Sequence, residues 1–234
     1  HLARIILISI HAKLFPIISY AIARENITIR YLVYLGNIGV TIILKIHAGG
    51  TIIMKQIGLI CGSLRKNSYN RIIGENLTKM NDTVSFSFIS IEDVPLFNED
   101  LERGGDPVAV EHFKNAIQNC DGLIFLCPEY NASVPGVLKN AIDWASRAKK
   151  DQVSVLHDKP VGIIGATPGG MGTAFAQLHL RQILEKLHVR VLPFEKVLIS
   201  QVDKKVDSKT RQIHDEKTAS SIERYVQQFV EWIN

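Results

Sequence analysis

A polar stretch at residues 62–70, GSLRKNSYN, contains the side chains that a phosphate group needs. It follows the apolar run 57–61 and precedes an apolar pattern typical of a helix. Backbone N–H groups at a helix N-terminus bind anions, and Gly62 permits a tight exit from the strand. The possible side-chain donors are Ser63, Arg65, Ser68 and Asn70. The alternative is a simple helix start with solvated cations, since Ser68 alone would cap the helix well.

Two further loops suit a planar group better than a second phosphate. PEYNASVPG, at residues 128–136, is nearly neutral, and its Tyr130 could stack on a ring while Asn131 bonds a heterocycle edge. It could equally be a rigid connection with Pro135 near the next helix start. ATPGGMGTA, at 166–174, lacks the third glycine of GxGxxG, so its glycines favour close approach of a flat ring. One phosphate site and one planar site predict a mononucleotide such as FMN.

Strands and helices alternate from Met54 onward, which predicts an α/β fold with a parallel sheet. The first, third and fourth predicted strands are apolar throughout, whereas the second and fifth are half polar and belong at the edges. This favours a flavodoxin-like, five-stranded sheet of order 2-1-3-4-5 with helices on both faces. The predicted strands cover 55–61, 84–91, 122–127, 161–166 and 189–194. Ligands of such a sheet bind where the first and third strands end.

The net positive charge of the chain, +4, lies entirely in residues 1–54, which carry five cations and one carboxylate. Residues 55–234 carry equal numbers of cations and anions, which does not favour nucleic-acid binding. The longest uncharged run near the start, Tyr31–Leu44, is shorter than the roughly 20 residues of a membrane-spanning helix. We expect residues 1–54 to be an N-terminal extension, read through from upstream sequence, and residues 55–234 to be the functional domain. A membrane-associating extension and a structural subdomain are the alternatives.

The cysteines and histidines predict neither disulfides nor a metal site. Cys61, Cys120 and Cys127 lack paired spacing, which favours a reduced, cytoplasmic protein. None of the eight histidines forms an HxH or HxxxH pair. Cys127 ends the third strand, where a buried structural thiol is the simpler alternative to a redox role. The charged stretch 203–211, DKKVDSKTR, is interpreted as a solvated loop or hairpin.

Three stretches, in this order and at this spacing, resemble the NADPH-dependent FMN reductase family, which includes bacterial quinone, chromate and azo-dye reductases. They are GSLRKNSYN, PEYNASVPGVLKNAIDW and GGMGTAFAQLHLRQIL. The resemblance covers about residues 55–194. It implies a flavodoxin-like fold, bound FMN, NADPH or NADH as co-substrate, and a homodimer or homotetramer.

The resemblance also assigns positions to the cofactor. The residues implied for the phosphate are Ser63, Arg65, Ser68 and Asn70. Those implied for the ribityl chain and ring are Pro128, Glu129, Tyr130 and Asn131. The resemblance implies that the loop 167–172 contacts the far side of the ring through Thr167, Gly169, Gly170 and Gly172. No side chain is expected to be catalytic, because flavin N5 carries the chemistry.

The predicted function is hydride transfer from a nicotinamide through FMN to a small acceptor. The acceptors considered are a quinone, an azo compound, free flavin and an oxidised metal ion. The alternatives are a flavodoxin-type electron carrier acting through protein partners and a non-catalytic flavin sensor. A carrier usually docks through an acidic face, which the balanced charge of residues 55–234 does not suggest.

Overall fold

The computed structural model describes residues 54–148 and 152–233, and two strands nearer the start of the chain. The chain divides into two compact units, His1–Ile53 and Met54–Asn234. In the first unit, β1 (Thr28–Gly36) and β2 (Gly39–His47) form an antiparallel pair. This pair is absent from the predicted elements, although both strands are rich in the β-branched residues that favour extended structure.

A parallel sheet organises the second unit, and its order is β4-β3-β5-β6-β7. The strands are β3 (Gln56–Cys61), β4 (Ser85–Phe88), β5 (Gly122–Leu126), β6 (Pro160–Ala166) and β7 (Arg190–Val191). The predicted flavodoxin-like order 2-1-3-4-5 is confirmed. The three central strands are buried almost throughout, whereas β4 at the edge is not. The polarity of the strands therefore predicted their positions correctly.

The fifth strand, predicted at 189–194, is only two residues long in the structure, and a second short strand, outside the predicted bounds, follows it on the same edge of β6. β7 pairs with the start of β6, whereas β8 (Val197–Ile199) pairs with the end of β6. Pro193 lies between the two strands and has no N–H to donate to a neighbouring strand. As a consequence, the chain leaving β8 emerges beside the loop that follows β6.

Helices cover both faces of the sheet. They are α1 (Tyr69–Leu77), α2 (Glu99–Arg103), α3 (Val108–Gln118), α4 (Gly136–Ser146), α5 (Ala174–Lys186) and α6 (Glu216–Trp232). One core contains Ile72 of α1 and Phe229 of α6. The other contains Phe113 of α3, Leu138 of α4 and Leu180 of α5. None of the helices in the described part of the chain is both long and apolar enough to cross a membrane.

A short 3-10 helix (Val202–Lys204) follows β8 and leads into a small hairpin. The hairpin consists of β9 (Val206–Asp207) and β10 (Gln212–Ile213), which pair antiparallel. This segment is the charged stretch interpreted from the sequence as a loop or hairpin.

Candidate functional site

The turn between β3 and α1 leaves backbone donors at the helix N-terminus. Ser68 caps α1, with its Oγ accepting the N–H of Arg71 at 3.4 Å. Among the hydrogen bonds of the described residues, the N–H groups of Tyr69 and Asn70 have no protein acceptor. A Cβ on Gly62 would lie 3.1 Å from Pro128 Cδ, so glycine lets this turn pack closely on the next loop. Donors of this kind, at the start of a helix, suit a phosphate.

Arg65 lies at the mouth of this turn with its side chain exposed. Its guanidinium carbon is 5.5 Å from the centroid of the Tyr69 ring, a cation–π distance. The backbone N–H of Arg65 donates to Ser63 Oγ at 3.4 Å. The guanidinium is therefore placed where it could pair with the oxygens of an incoming phosphate.

Asn70 contacts the end of a different strand. Its Nδ2 donates to the carbonyl of Ala166 at 2.8 Å, and its Oδ1 accepts the Ala166 N–H at 3.0 Å. The side chain is almost completely buried. The phosphate contact of Asn70 stays a prediction, and the structure shows its side chain fixing the start of α1 to the end of β6. Its primary contacts are therefore those of a positioning residue.

The loop after β5 makes a tight turn at Asn131 and Ala132, whose φ angles are 50° and 57°. Tyr130 and Ser133 exchange both backbone hydrogen bonds across this turn. Asparagine adopts left-handed φ angles readily, but alanine does so at a steric cost, which the surrounding contacts must offset. The turn leaves Tyr130 50% exposed, with its hydroxyl 3.3 Å from Ser63 Oγ. Its ring is thus available beside the phosphate turn.

Glu129 and Ser133 attach this loop to α5. Glu129 Oε2 accepts the N–H of Ala176 at 2.9 Å, in the first turn of the helix, where a carboxylate is favourable. Ser133 Oγ lies 3.1 Å from His179 Nδ1. Glu129 therefore connects this loop to the start of α5.

The loop Thr167–Gly172 lies against the chain that follows β8. Thr167 donates its N–H to Ile199 O at 3.0 Å, and Gly169 O accepts the N–H of Gln201 at 3.1 Å. Gly172 has φ 64°, and a Cβ there would lie 2.9 Å from Leu198 Cβ, so this position requires glycine. A Cβ on Gly170 would meet nothing within 4 Å. The loop is thus hydrogen-bonded to the chain that follows β8, and space is open around Gly170.

The cysteines near these loops are structural. Cys127 is fully buried, and burial raises the pKa of its thiol to about 12, so it is neutral at physiological pH. Cys61 packs in the core on one face of the sheet, whereas Cys127 packs in the core on the other. All three cysteines are free and buried.

Sequence reasoning missed two residues that bring these loops together. A Cβ on Gly165 would lie 1.9 Å from Thr173 Oγ1 and 2.5 Å from Cys127 O, so the backbones approach closely there. Gln177 is fully buried and donates to Thr173 Oγ1 at 3.1 Å and to Val197 O at 2.8 Å. A glycine inside an otherwise apolar strand was the available signal for Gly165. No local pattern marks Gln177.

The three loops form one cross-linked site at the carboxyl end of the sheet. The Ser63 hydroxyl contacts the Tyr130 hydroxyl, the Asn70 amide hydrogen-bonds to the backbone of Ala166, and the Glu129 carboxylate accepts an N–H in the first turn of α5. A phosphate turn lies beside a half-exposed tyrosine, and the glycine-rich loop follows the next strand. This donor set and fold fit flavin mononucleotide and define a flavodoxin-like flavoprotein.

Comparisons with known proteins agree with this class. A family model described as NADPH-dependent FMN reductase matches residues 55–204. The chain is 42% identical to an NAD(P)H-dependent FMN reductase of Pseudomonas aeruginosa over 77% of this chain and 95% of that relative. It is 38% identical to a quinone reductase of Escherichia coli K12, over 76% and 95%. The structure of the flavoenzyme FerB, an NAD(P)H:(acceptor) oxidoreductase of Paracoccus denitrificans, matches with 33% identity, a TM-score of 0.70, and 77% and 97% coverage.

The chain belongs to the NADPH-dependent FMN reductase family. It is an FMN-dependent oxidoreductase with NAD(P)H as co-substrate. The predictions of the family, the cofactor and an enzymatic function are confirmed, and the electron-carrier alternative is not supported.

Proposed function

We propose that this enzyme reduces a quinone with electrons taken from NAD(P)H. Access to the site carries the proposal: Tyr130 is 50% exposed on one loop, and open space adjoins Gly170 on another. When bound, FMN supplies the chemistry by accepting hydride at N5 and returning two electrons to an acceptor. The similarity to a quinone reductase supports a quinone as acceptor. Azo compounds, free flavin and oxidised metal ions are the alternative acceptors.

In this proposal the side chains bind and orient, and none transfers a proton. Ser63, Ser68 and Arg65 hold the phosphate together with the two N–H groups at the start of α1. Tyr130 and the loop 167–172 hold the ring. Pro128, Glu129 and Asn131 set the shape of the loop after β5, and Asn70 fixes the turn to β6. Positioned groups of this kind lower the cost of bringing reactants together.

Steady-state kinetics test this function. Because NADP⁺ must leave before the quinone reaches the same face, initial rates with NADPH and benzoquinone varied together should give parallel double-reciprocal lines. Intersecting lines would contradict a shared site for the two substrates. Turnover with an azo dye but not with benzoquinone would replace the proposed acceptor.

We also propose a cytoplasmic homodimer or homotetramer. All three cysteines are free and buried, which suits a reducing compartment. Phe175 and Leu178 are exposed in the first turns of α5, and Met171 is exposed in the loop before it; these apolar side chains support an interface between copies. Light scattering of the purified holoprotein measures the mass, and a monomer would contradict the proposed assembly.

We propose that residues 55–234 suffice for function. A shortened chain that begins at Met54 is expected to retain the FMN content, melting temperature and turnover of the full chain, because residues 54–233 contain both cores and all three loops. The full chain, purified alongside, is the control. Aggregation of the shortened chain, or loss of its flavin, would show that residues 1–53 are structural.

A further inference from the structure

Two histidines lie together at the end of the sheet opposite to the cofactor loops. His157 lies in the turn before β6, and His188 lies between the end of α5 and the start of β7. Their ring centroids are 5.8 Å apart, and the planes of the two rings are inclined by 53°. Both residues are exposed. Sequence spacing did not predict this pair, because only the fold brings its members together.

Backbone hydrogen bonds hold the two segments that carry these histidines. The N–H of Asp158 donates to the carbonyl of His188 at 2.9 Å, and the N–H of Arg190 donates to the carbonyl of Lys159 at 3.1 Å. The turn before β6 is therefore connected to the chain between α5 and β7 directly beside both imidazoles. The positions of the two side chains are set by the fold before any ligand arrives.

His188 has a backbone conformation in which glycine is the usual residue. Its φ is 55°, in the left-handed region, at the point where the chain leaves α5. Helices commonly end on a left-handed residue, and glycine is the most frequent choice because it has no Cβ. Asp158, the hydrogen-bond partner of His188, is also left-handed, with φ 56°. Left-handed residues other than glycine are concentrated at functional sites, and here the backbone keeps an imidazole that glycine would lack.

The separation of the two rings suits a shared metal ion. Neutral imidazole is the commonest metal ligand in proteins, and it suits zinc, copper and nickel. With metal–nitrogen bonds of about 2.0–2.1 Å, two imidazoles on one tetrahedral ion have ring centroids roughly 5 Å apart. The observed separation is 5.8 Å, and rotation of two exposed side chains closes the difference. In the part of the chain that the structure describes, no group of three or more His, Cys, Asp or Glu side chains could hold an ion, so water completes the coordination shell.

The charged side chains beside the pair leave room for a cation. The carboxylate of Asp158 is 70% exposed and only loosely paired with Arg190, at 3.8 Å. The guanidinium of Arg190 lies 5.0 Å from the centroid of the Trp232 ring. Lys159 donates from Nζ to the carbonyl of Cys120 at 2.6 Å. Both of these cations therefore have partners of their own, and Asp158 keeps a negative charge next to the histidines.

We propose that His157 and His188 bind one divalent transition-metal ion of the kind that prefers imidazole, such as zinc, nickel or copper. The ion cross-links the turn before β6 to the end of α5. Because β6 has seven residues and a strand rises about 3.3 Å per residue, the ion is roughly 20 Å from the cofactor loops. Its role is to stabilise the fold, and it takes no part in hydride transfer.

Equilibrium dialysis of the FMN-loaded full chain against saturating Ni²⁺ tests the proposal. His157→Ala and His188→Gly should each bind one Ni²⁺ fewer per chain than the unmodified enzyme. The double variant should lose no more than either single variant, because the two side chains share one ion. Glycine is used at position 188 because it adopts the left-handed conformation without strain. His112→Ala is the matched control, since His112 is an exposed histidine on α3, and it should bind as much Ni²⁺ as the unmodified enzyme.

Thermal melting provides a second measurement. Ni²⁺ at a hundredfold excess over its dissociation constant should raise the melting temperature of the unmodified enzyme and of His112→Ala by about 5–10 °C. It should raise that of neither His157→Ala nor His188→Gly, and Mg²⁺, which prefers oxygen ligands, should raise none. Unchanged Ni²⁺ binding in either variant of the pair, or an equal loss in His112→Ala, would overturn the proposal.

Discussion

Arg65→Ala is expected to weaken FMN binding about ten- to a hundredfold and to leave riboflavin binding nearly unchanged. A hydrogen bond to a charged group contributes about 1.5–3 kcal/mol, and each 1.4 kcal/mol corresponds to about tenfold in affinity. Riboflavin lacks the phosphate and therefore loses nothing when the guanidinium is removed. Fluorescence titration of the apoprotein with both ligands measures the two dissociation constants.

Lys66→Ala is the control for this experiment. Lys66 is the neighbouring cation on the same turn, and it is also exposed. Its removal should leave both affinities within about twofold, because no phosphate contact is assigned to Lys66 and an exposed charge without a direct contact is strongly screened. An equal loss of FMN and riboflavin affinity in Arg65→Ala would show that Arg65 does not contact the phosphate.

Asn70→Ala is expected to weaken FMN and riboflavin binding by the same factor and to lower the stability of the apoprotein. The substitution leaves the N–H and the carbonyl of Ala166 without their Asn70 partners, and each unsatisfied buried group costs about 1–3 kcal/mol. The phosphate turn and the loop after β6 then lose their connection. Thermal melting and titration with both flavins measure the two effects.

Asn76→Ala separates stability from positioning. Asn76 lies on the same helix and also makes two hydrogen bonds through its amide, to Ile72 O and Arg211 O. Its loss should lower the melting temperature with little effect on flavin affinity, because it lies farther along α1. A selective loss of FMN affinity in Asn70→Ala would show instead that Asn70 binds the phosphate, as the sequence suggested.

The strand order was predictable because a strand buried on both faces is a continuous apolar run, whereas an edge strand alternates apolar and polar residues. β5 is apolar throughout, whereas β4 alternates Phe86 and Phe88 with Ser85 and Ser87. Position in the sheet then determined which loops meet. The break at Pro193 could also have been predicted, since proline cannot donate to a strand neighbour.

The roles of individual site residues were harder to predict, because their partners are distant in sequence. Asn70 bonds to Ala166, 96 residues away, and Glu129 bonds to Ala176, 47 residues away. A turn rich in donors predicts a phosphate site, but it does not say which donors the fold itself uses. The hairpin 206–213 agrees with the interpretation of this charged stretch as a loop or hairpin, but the ion pair of Arg211 with Glu75 depends on tertiary contact and left no local pattern.

Anaerobic mixing of the oxidised holoprotein with NADPH, and separately with NADH, tests the central claim most directly. If the three loops hold FMN for hydride transfer from a nicotinamide, the visible absorbance of oxidised flavin will bleach within seconds and return when benzoquinone is added. If neither nucleotide bleaches the flavin, while a partner reductase does, the enzyme account is contradicted and the protein is an electron carrier.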